Sequence, residues 1–164
     1  MPGGGKSTVG REVARRLGLP FADCDKAIEQ SAGCTVATFF EYEGEDAFRD
    51  LEAKVLASLL DGDPCVVATG GGAVLRETNR ELLRSRTRCV YLHASPEFLW
   101  KRLRRDRRRP LLQVADPEAR LRAMSAEREP LYRQTASIIV AIEGLRFDRL
   151  VDEVLRRLSA ETNP

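Results

Sequence analysis

The chain has 164 residues, enough to bury one core but short for two, so one active site is expected. Its 27 lysines and arginines exceed its 25 aspartates and glutamates by only two, which argues against a general nucleic-acid or membrane-surface binder. A single histidine, and four cysteines with no C-x-x-C spacing, argue against a zinc site and against a serine-histidine-aspartate triad.

The opening stretch MPGGGKSTVG carries the GK[ST] end of a phosphate loop at Gly5, Lys6 and Ser7, although the first glycine of the full pattern would fall before Met1. The loop leads into a helix: STVGREVARRLG puts Val9, Val13 and Leu17 at helical spacing, and Gly18 with Pro20 stops it. PFADCD reads as a short strand ending in acidic residues, and KAIEQSAG as a short helix closed by Gly33. The next run, TVATFFEYEGEDAFRDLEAKVLASLLDGD, predicts two helices broken near Gly44, the second carrying Phe48, Leu51, Val55, Leu56 and Leu59 on one face. CVVAT (65–69) is a buried strand run ending at Gly70, Gly71 and Gly72, RETNRELLRSR is helical, and RCVYLHA (88–94) is a third strand.

Ser95, Pro96 and Glu97 open another helix as cap, first helical residue and first-turn acid. Its basic run, KRLRRDRRR (101–109), ends at Pro110, which interrupts regular helix. Asp116 and Pro117 repeat the helix start, SIIVAI (137–142) is a fourth strand, and RFDRLVDEVLRRL is an amphipathic terminal helix. Apolar strands alternating with helices imply a parallel sheet covered on both faces, with ligands beyond the carboxyl ends of its strands. Cys24, Cys34, Cys65 and Cys89 fall mostly in apolar runs and read as small buried residues of a reducing cytosol. With no apolar run of membrane-spanning length and no signal peptide pattern, a cytoplasmic protein is expected.

The chemistry gathers in a few stretches. Gly3, Gly4 and Gly5 let backbone N–H groups converge on phosphate oxygens, Lys6 would reach the β- and γ-phosphates, and Ser7 would hold magnesium. Asp23 and Asp25, two apart in a strand, would project from one face, Asp23 serving the water shell of the metal and Asp25 accepting a hydroxyl proton. Arg49, oriented by Glu52 three residues on, offers two parallel hydrogen bonds to a carboxylate, and Arg128 before Pro130 is a second candidate where the helix must distort. Three consecutive glycines after a strand let a ligand approach the backbone. The arginine run reads as a lid over a nucleotide, as a nucleic-acid patch, or as a solvated face; it lacks the interleaved aromatics of a base-stacking surface. His93 closes an apolar strand and reads as a packed residue rather than a proton carrier.

Taken together and in this order, GGGKSTVGREVARRLG, DCD, FRDLE, TGGG, RRPLL and EREPLY resemble the shikimate kinase family from Met1 to about Leu158. The resemblance implies a single P-loop kinase domain over 1–164, an α/β fold with a five-stranded parallel sheet in the order 2-3-1-4-5, a substrate-binding helical region at 26–60 and a lid at 102–116. It implies transfer of the ATP γ-phosphate to the 3-hydroxyl of shikimate, giving 3-phosphoshikimate and ADP on the route to chorismate, with Mg2+ as cofactor. The implied partners are shikimate and ATP, with no nucleic acid and no membrane, and the implied state is a cytoplasmic monomer.

By the same resemblance, Gly3, Gly4, Gly5, Lys6, Ser7, Thr8, Arg102 and Arg109 bind ATP, with Arg109 as the lid arginine and Arg102 against adenine. Lys6, Asp25 and Arg109 would be catalytic, and Ser7 and, through water, Asp23 would serve the metal. Shikimate would meet Asp25, the Arg49 and Arg128 guanidiniums and the backbone of Gly70, Gly71 and Gly72. Family members carry an apolar strand ahead of the phosphate loop, strand 1 of the order above, so Met1 is expected to be an internal methionine of a longer chain. Two other readings share the phosphate loop: a gluconate or other small-polyol kinase, and a nucleotide-binding module without turnover. A nucleic-acid-binding domain built on the arginine run is a third, with steeply salt-dependent binding.

Overall fold

The structure is a computed structural model that describes residues 1–104 and 114–160. Arg109 and the greater part of the expected lid lie outside the described residues. By packing, the chain divides into two compact units, Lys6–Thr87, and Met1–Gly5 with Arg88–Pro164.

In the first unit, β1 (Phe21–Asp23) pairs parallel with β2 (Val66–Ala68), Phe21 opposite Val66 and Asp23 opposite Ala68. Helix α1 (Lys6–Leu17) buries Val9, Val13 and Ala14. A Cβ on its Gly10 would stand 3.0 Å from the Phe21 ring, so the helix packs closely on β1. Leu17, expected on the buried stripe, is 46% exposed, because the chain reverses straight after it at Gly18, where φ is +66°.

Helix α2 (Cys24–Ala32) ends at Gly33, whose φ of 70° lets its N–H reach back to the Glu29 carbonyl at 2.9 Å. Helix α3 (Val36–Asp61) starts from a Thr35 cap and contains the expected break: Gly44 sits at φ 80°, ψ 178°. The turn Ala73–Leu75 follows β2 as a single 3₁₀ turn, and α4 (Glu77–Arg86) comes next. Cys24, Ile28, Phe48, Leu56 and Leu83 form the buried centre of α2, α3 and α4, with Phe40 and Phe48 stacked obliquely at 4.3 Å.

In the second unit, β3 (Val90–His93) pairs parallel with β4 (Ile138–Ala141). Helices α5 (Pro96–Leu103), α6 (Pro117–Thr135) and α7 (Phe147–Ala160) belong to the same unit. Ser95 and Asp116 cap α5 and α6 by accepting from the Phe98 and Ala119 N–H groups, as the Ser-Pro and Asp-Pro starts predict. Helix α6 runs on through Pro130, losing one backbone hydrogen bond there rather than ending. Leu99, Leu121, Met124, Val140 and Val151 are all fully buried, and Tyr91 stacks on Tyr132 at 4.9 Å.

Among the described residues the four strands thus form two parallel two-stranded sheets. Counted as strands 2 to 5, they reproduce the 2-3 and 4-5 neighbours of the expected order. The Gly44 break is a backbone constraint alone, since nothing lies within 4 Å of a Cβ added there. Replacing Gly44 with alanine should therefore cost about 1–3 kcal/mol in chemical denaturation, with an unchanged m-value. Gly62→Ala, at φ −82°, should lose nothing.

Candidate active site

The first five residues and the start of α1 have the backbone of a phosphate loop. Gly3 and Gly5 take φ values of 77° and 75°, conformations that side-chain-bearing residues avoid, and α1 opens directly after them at Lys6. A Cβ on Gly3 would stand 2.9 Å from the Leu103 side chain, so the bend admits only glycine on both counts. Gly4 is buried, with the position of a Cβ 3.5 Å from the Met1 carbonyl.

Asp23 links three elements. Its Oδ2 accepts from the Ser7 hydroxyl at 2.7 Å, and its Oδ1 accepts from the N–H groups of Asp25 and Lys26 at 3.2 and 3.4 Å. Asp23 is therefore the N-cap of α2 as well as the last residue of β1. This corrects the expected geometry of the acidic pair: Asp25 lies not two residues along a strand but in the first turn of a helix, where it is exposed. Capping by Asp23 ends the strand two residues too early for the two carboxylates to share a pleat.

The glycine loop after β2 meets charged groups from α2 and α3. A Cβ on Gly70 would stand 2.8 Å from Glu52 Oε1 and 2.9 Å from Asp25 Oδ1, and one on Gly72 would run into the Arg49 guanidinium. Only glycines let these side chains lie against the loop. Arg49 donates to Glu52 Oε2 at 2.7 Å, and Glu52 is 1% exposed. A second contact, to Glu45 at 3.1 Å, and the Phe48 ring 5.1 Å away fix the guanidinium further. The orienting role read for Glu52 from its three-residue spacing agrees with this contact.

Burial, and then the charges of Glu52 and Asp25, push the thiol of Cys24 up to about 12, so it remains neutral and serves as packing. All four cysteines are free, but Cys24 alone is fully buried; the other three are half-buried.

Two residues of α4 that the sequence did not single out also belong to this region. Asn79 and Arg80 are 2% and 9% exposed, and both give their donors to carbonyls of the turn that follows Gly72. A helical Asn-Arg pair reads as solvent-facing, and the only signal for it is its position one turn after the glycines.

In the other unit, Arg128 on α6 is 6% exposed, and its Nε has no hydrogen-bond partner among the described residues. Among the described residues no carboxylate pairs with it. Arg102 is exposed on α5 with its guanidinium 5.7 Å from the Phe98 ring centre. His93 is packed as expected, its Nε2 3.2 Å from Glu129 and its ring edge-on to Tyr91.

The arrangement provides glycine N–H groups and a helix N-terminus for phosphate, and a hydroxyl–carboxylate pair for a hard cation. An exposed carboxylate lies beside a glycine loop for a hydroxyl, and there are cations for an anionic acceptor. No helix among the described residues is long and apolar enough to cross a membrane.

Comparison with known proteins points the same way. The family model for shikimate kinase matches residues 2–159. The shikimate kinase of Paracidovorax citrulli is 50% identical over 161 residues, covering 96% of this chain and 88% of that one. That of Cupriavidus pinatubonensis is 50% identical over 156 residues, covering 95% of this chain and 81% of the relative. Among solved structures, shikimate kinase from Acinetobacter baumannii in complex with shikimate superposes with a TM-score of 0.93 at 40% identity, covering 99% and 90% of the two chains. The Aquifex aeolicus enzyme gives 0.84 at 31% identity, over 99% and 95%. The chain belongs to the shikimate kinase family, P-loop kinases that transfer phosphate from ATP to shikimate.

Proposed function

We propose that this chain phosphorylates the 3-hydroxyl of shikimate, with Asp25 as the base that accepts the hydroxyl proton. The observation that carries this reading is the convergence of Asp25, Glu52 and Arg49 on the backbone of Gly70 and Gly72. A sugar-like acceptor with several hydroxyls and one carboxylate needs such a set: a carboxylate for a hydroxyl, bare backbone for ring oxygens, a fixed guanidinium for the acid.

Arg49 and Arg128 would each donate to the shikimate carboxylate. Arg128 supports this role because a buried guanidinium with an unpartnered Nε is costly until an anion meets it. Asp25 would orient the acceptor hydroxyl and take its proton as the phosphoryl group leaves ATP, with Gly70, Gly71 and Gly72 holding the ring. Gly3, Gly4 and Gly5 with Lys6 and Thr8 would bind the phosphates, and Arg102 would lie against the adenine. Arg109, in the proposed lid at 102–116, would reach the transferring group. The segment 26–60 would bind shikimate.

Magnesium fits the residues present. The Ser7 hydroxyl and the Asp23 carboxylate, 2.7 Å apart, are hard oxygen donors, and magnesium held mainly by nucleotide phosphates and water needs only one or two from the protein. Ser7 would bind it directly and Asp23 through water; when bound, the ion neutralises charge on the phosphates. Four free cysteines fit the reducing cytoplasm proposed for the protein.

Asp25→Asn should lower shikimate-dependent ADP release by about 10²–10⁴-fold, the range for loss of a general base, while fluorescence titration shows ATP binding unchanged. Full turnover would remove Asp25 from the mechanism. Arg128→Met should raise the shikimate KM by about 10–100-fold, the worth of a charged hydrogen bond, and leave the ATP KM alone. Because it removes a buried cation, the same change should leave the melting temperature equal or higher. A lower melting temperature with both KM values intact would make Arg128 a structural residue.

A further inference from the structure

We infer that Asn79 and Arg80 are positioning residues for the acceptor: from beneath, they fix the Gly70–Gly72 loop in the shape that meets the substrate. The inference rests on the shikimate-binding role proposed above for that loop.

Three consecutive glycines have more backbone freedom than any other tripeptide, so such a loop needs outside constraints to hold one conformation. The Gly70 carbonyl accepts from the Ala73 N–H at 3.3 Å, and the Gly72 carbonyl from the Leu75 N–H at 2.9 Å. These bonds pass the problem on, because the 3₁₀ turn Ala73–Leu75 is only one turn long and its own carbonyls face α4.

All three carbonyls are met by two side chains of α4. Asn79 Nδ2 donates to the Ala73 carbonyl at 3.0 Å, and one guanidinium nitrogen of Arg80 donates to the carbonyls of Val74 at 2.6 Å and Leu75 at 3.2 Å. The other terminal nitrogen of Arg80 binds Glu77, which also accepts from Arg84 at 2.9 Å, so the guanidinium is held from both ends. The loop is thus pinned from below by α4 while Asp25, Glu52 and Arg49 lie against Gly70 and Gly72.

The arrangement is expensive for a purely structural turn. A guanidinium that is nine-tenths buried has lost most of its hydration, and its Nε has no hydrogen-bond partner among the described residues. An apolar residue at the same place would spare that cost and leave only the loop undefined. What Arg80 gains is rigidity in a segment whose backbone is proposed to bind the acceptor directly, where a shift of 1 Å is costly.

The test compares Arg80→Met, which keeps the apolar stem but removes the donors, with Arg80→Lys and the full wild-type chain. Shikimate and ATP KM values are measured together with backbone hydrogen exchange at residues 70–75. In Arg80→Met the shikimate KM should rise about tenfold or more while the ATP KM holds, matching the loss of one charged hydrogen bond from loop ordering. The amides of Ala73 and Leu75 should exchange faster, and Arg80→Lys should recover part of both effects. If Arg80→Met does not fold, Asn79→Leu carries the same expectation through the Ala73 carbonyl.

An unshifted shikimate KM, or KM values for both substrates rising together, would overturn the inference. So would unchanged exchange at Ala73 and Leu75. Wild-type turnover with unshifted variants retires this inference alone. Absence of shikimate turnover in the wild-type chain retires the functional reading and this inference with it.

Discussion

One carboxylate, Asp23, fixes the geometry on which the active-site reading rests. It closes β1, caps α2 through the Asp25 and Lys26 N–H groups, and accepts the Ser7 hydroxyl from the phosphate-loop helix. Capping decides where the strand stops, and so which way the next acid, Asp25, projects. Had β1 run on two residues further, Asp25 would have shared a pleat with Asp23, at the cost of two adjacent like charges. Instead the two acids divide the work: one ties α1 to the end of β1, and the other stands exposed beside Gly70.

In each unit the chain places polar groups where a stable core would prefer apolar ones. Glu52 is buried against Arg49, Arg80 under the glycine loop, and Arg128 in α6 with an unpartnered Nε. Each pays a desolvation penalty that a hydrophobic residue would avoid. Two of them lie within reach of a loop made only of glycine, and for the third the acceptor carboxylate is the counter-charge proposed above. Polar burial of this kind trades stability for preorganisation. It also explains why phosphoryl transfer here needs no histidine, since positioning and electrostatics supply most of the catalysis.

Much of this was legible in the sequence because it is local. The Ser-Pro and Asp-Pro helix starts, the left-handed Gly33 and the Gly44 break depend only on neighbouring residues, and each appears where its residue type demands. The phosphate loop was readable for the same reason, and so was the Arg49–Glu52 pair, three residues apart on a helix. Pattern reading failed where two local rules competed. The period of two for Asp23 and Asp25 lost to capping, and Leu17 kept helical spacing but lost its cover when the chain turned at Gly18. Arg80 was illegible for a deeper reason: its partners are carbonyls of a turn whose position only the folded chain defines.

The most direct test of the account is ADP release from Mg-ATP by the full-length chain, measured with and without shikimate. The account predicts release that depends on shikimate and saturates with it, and none with gluconate in its place. ADP release with gluconate but not shikimate, or none from a folded protein that binds ATP, would contradict the assignment of Asp25, Arg49 and Arg128 to this acceptor.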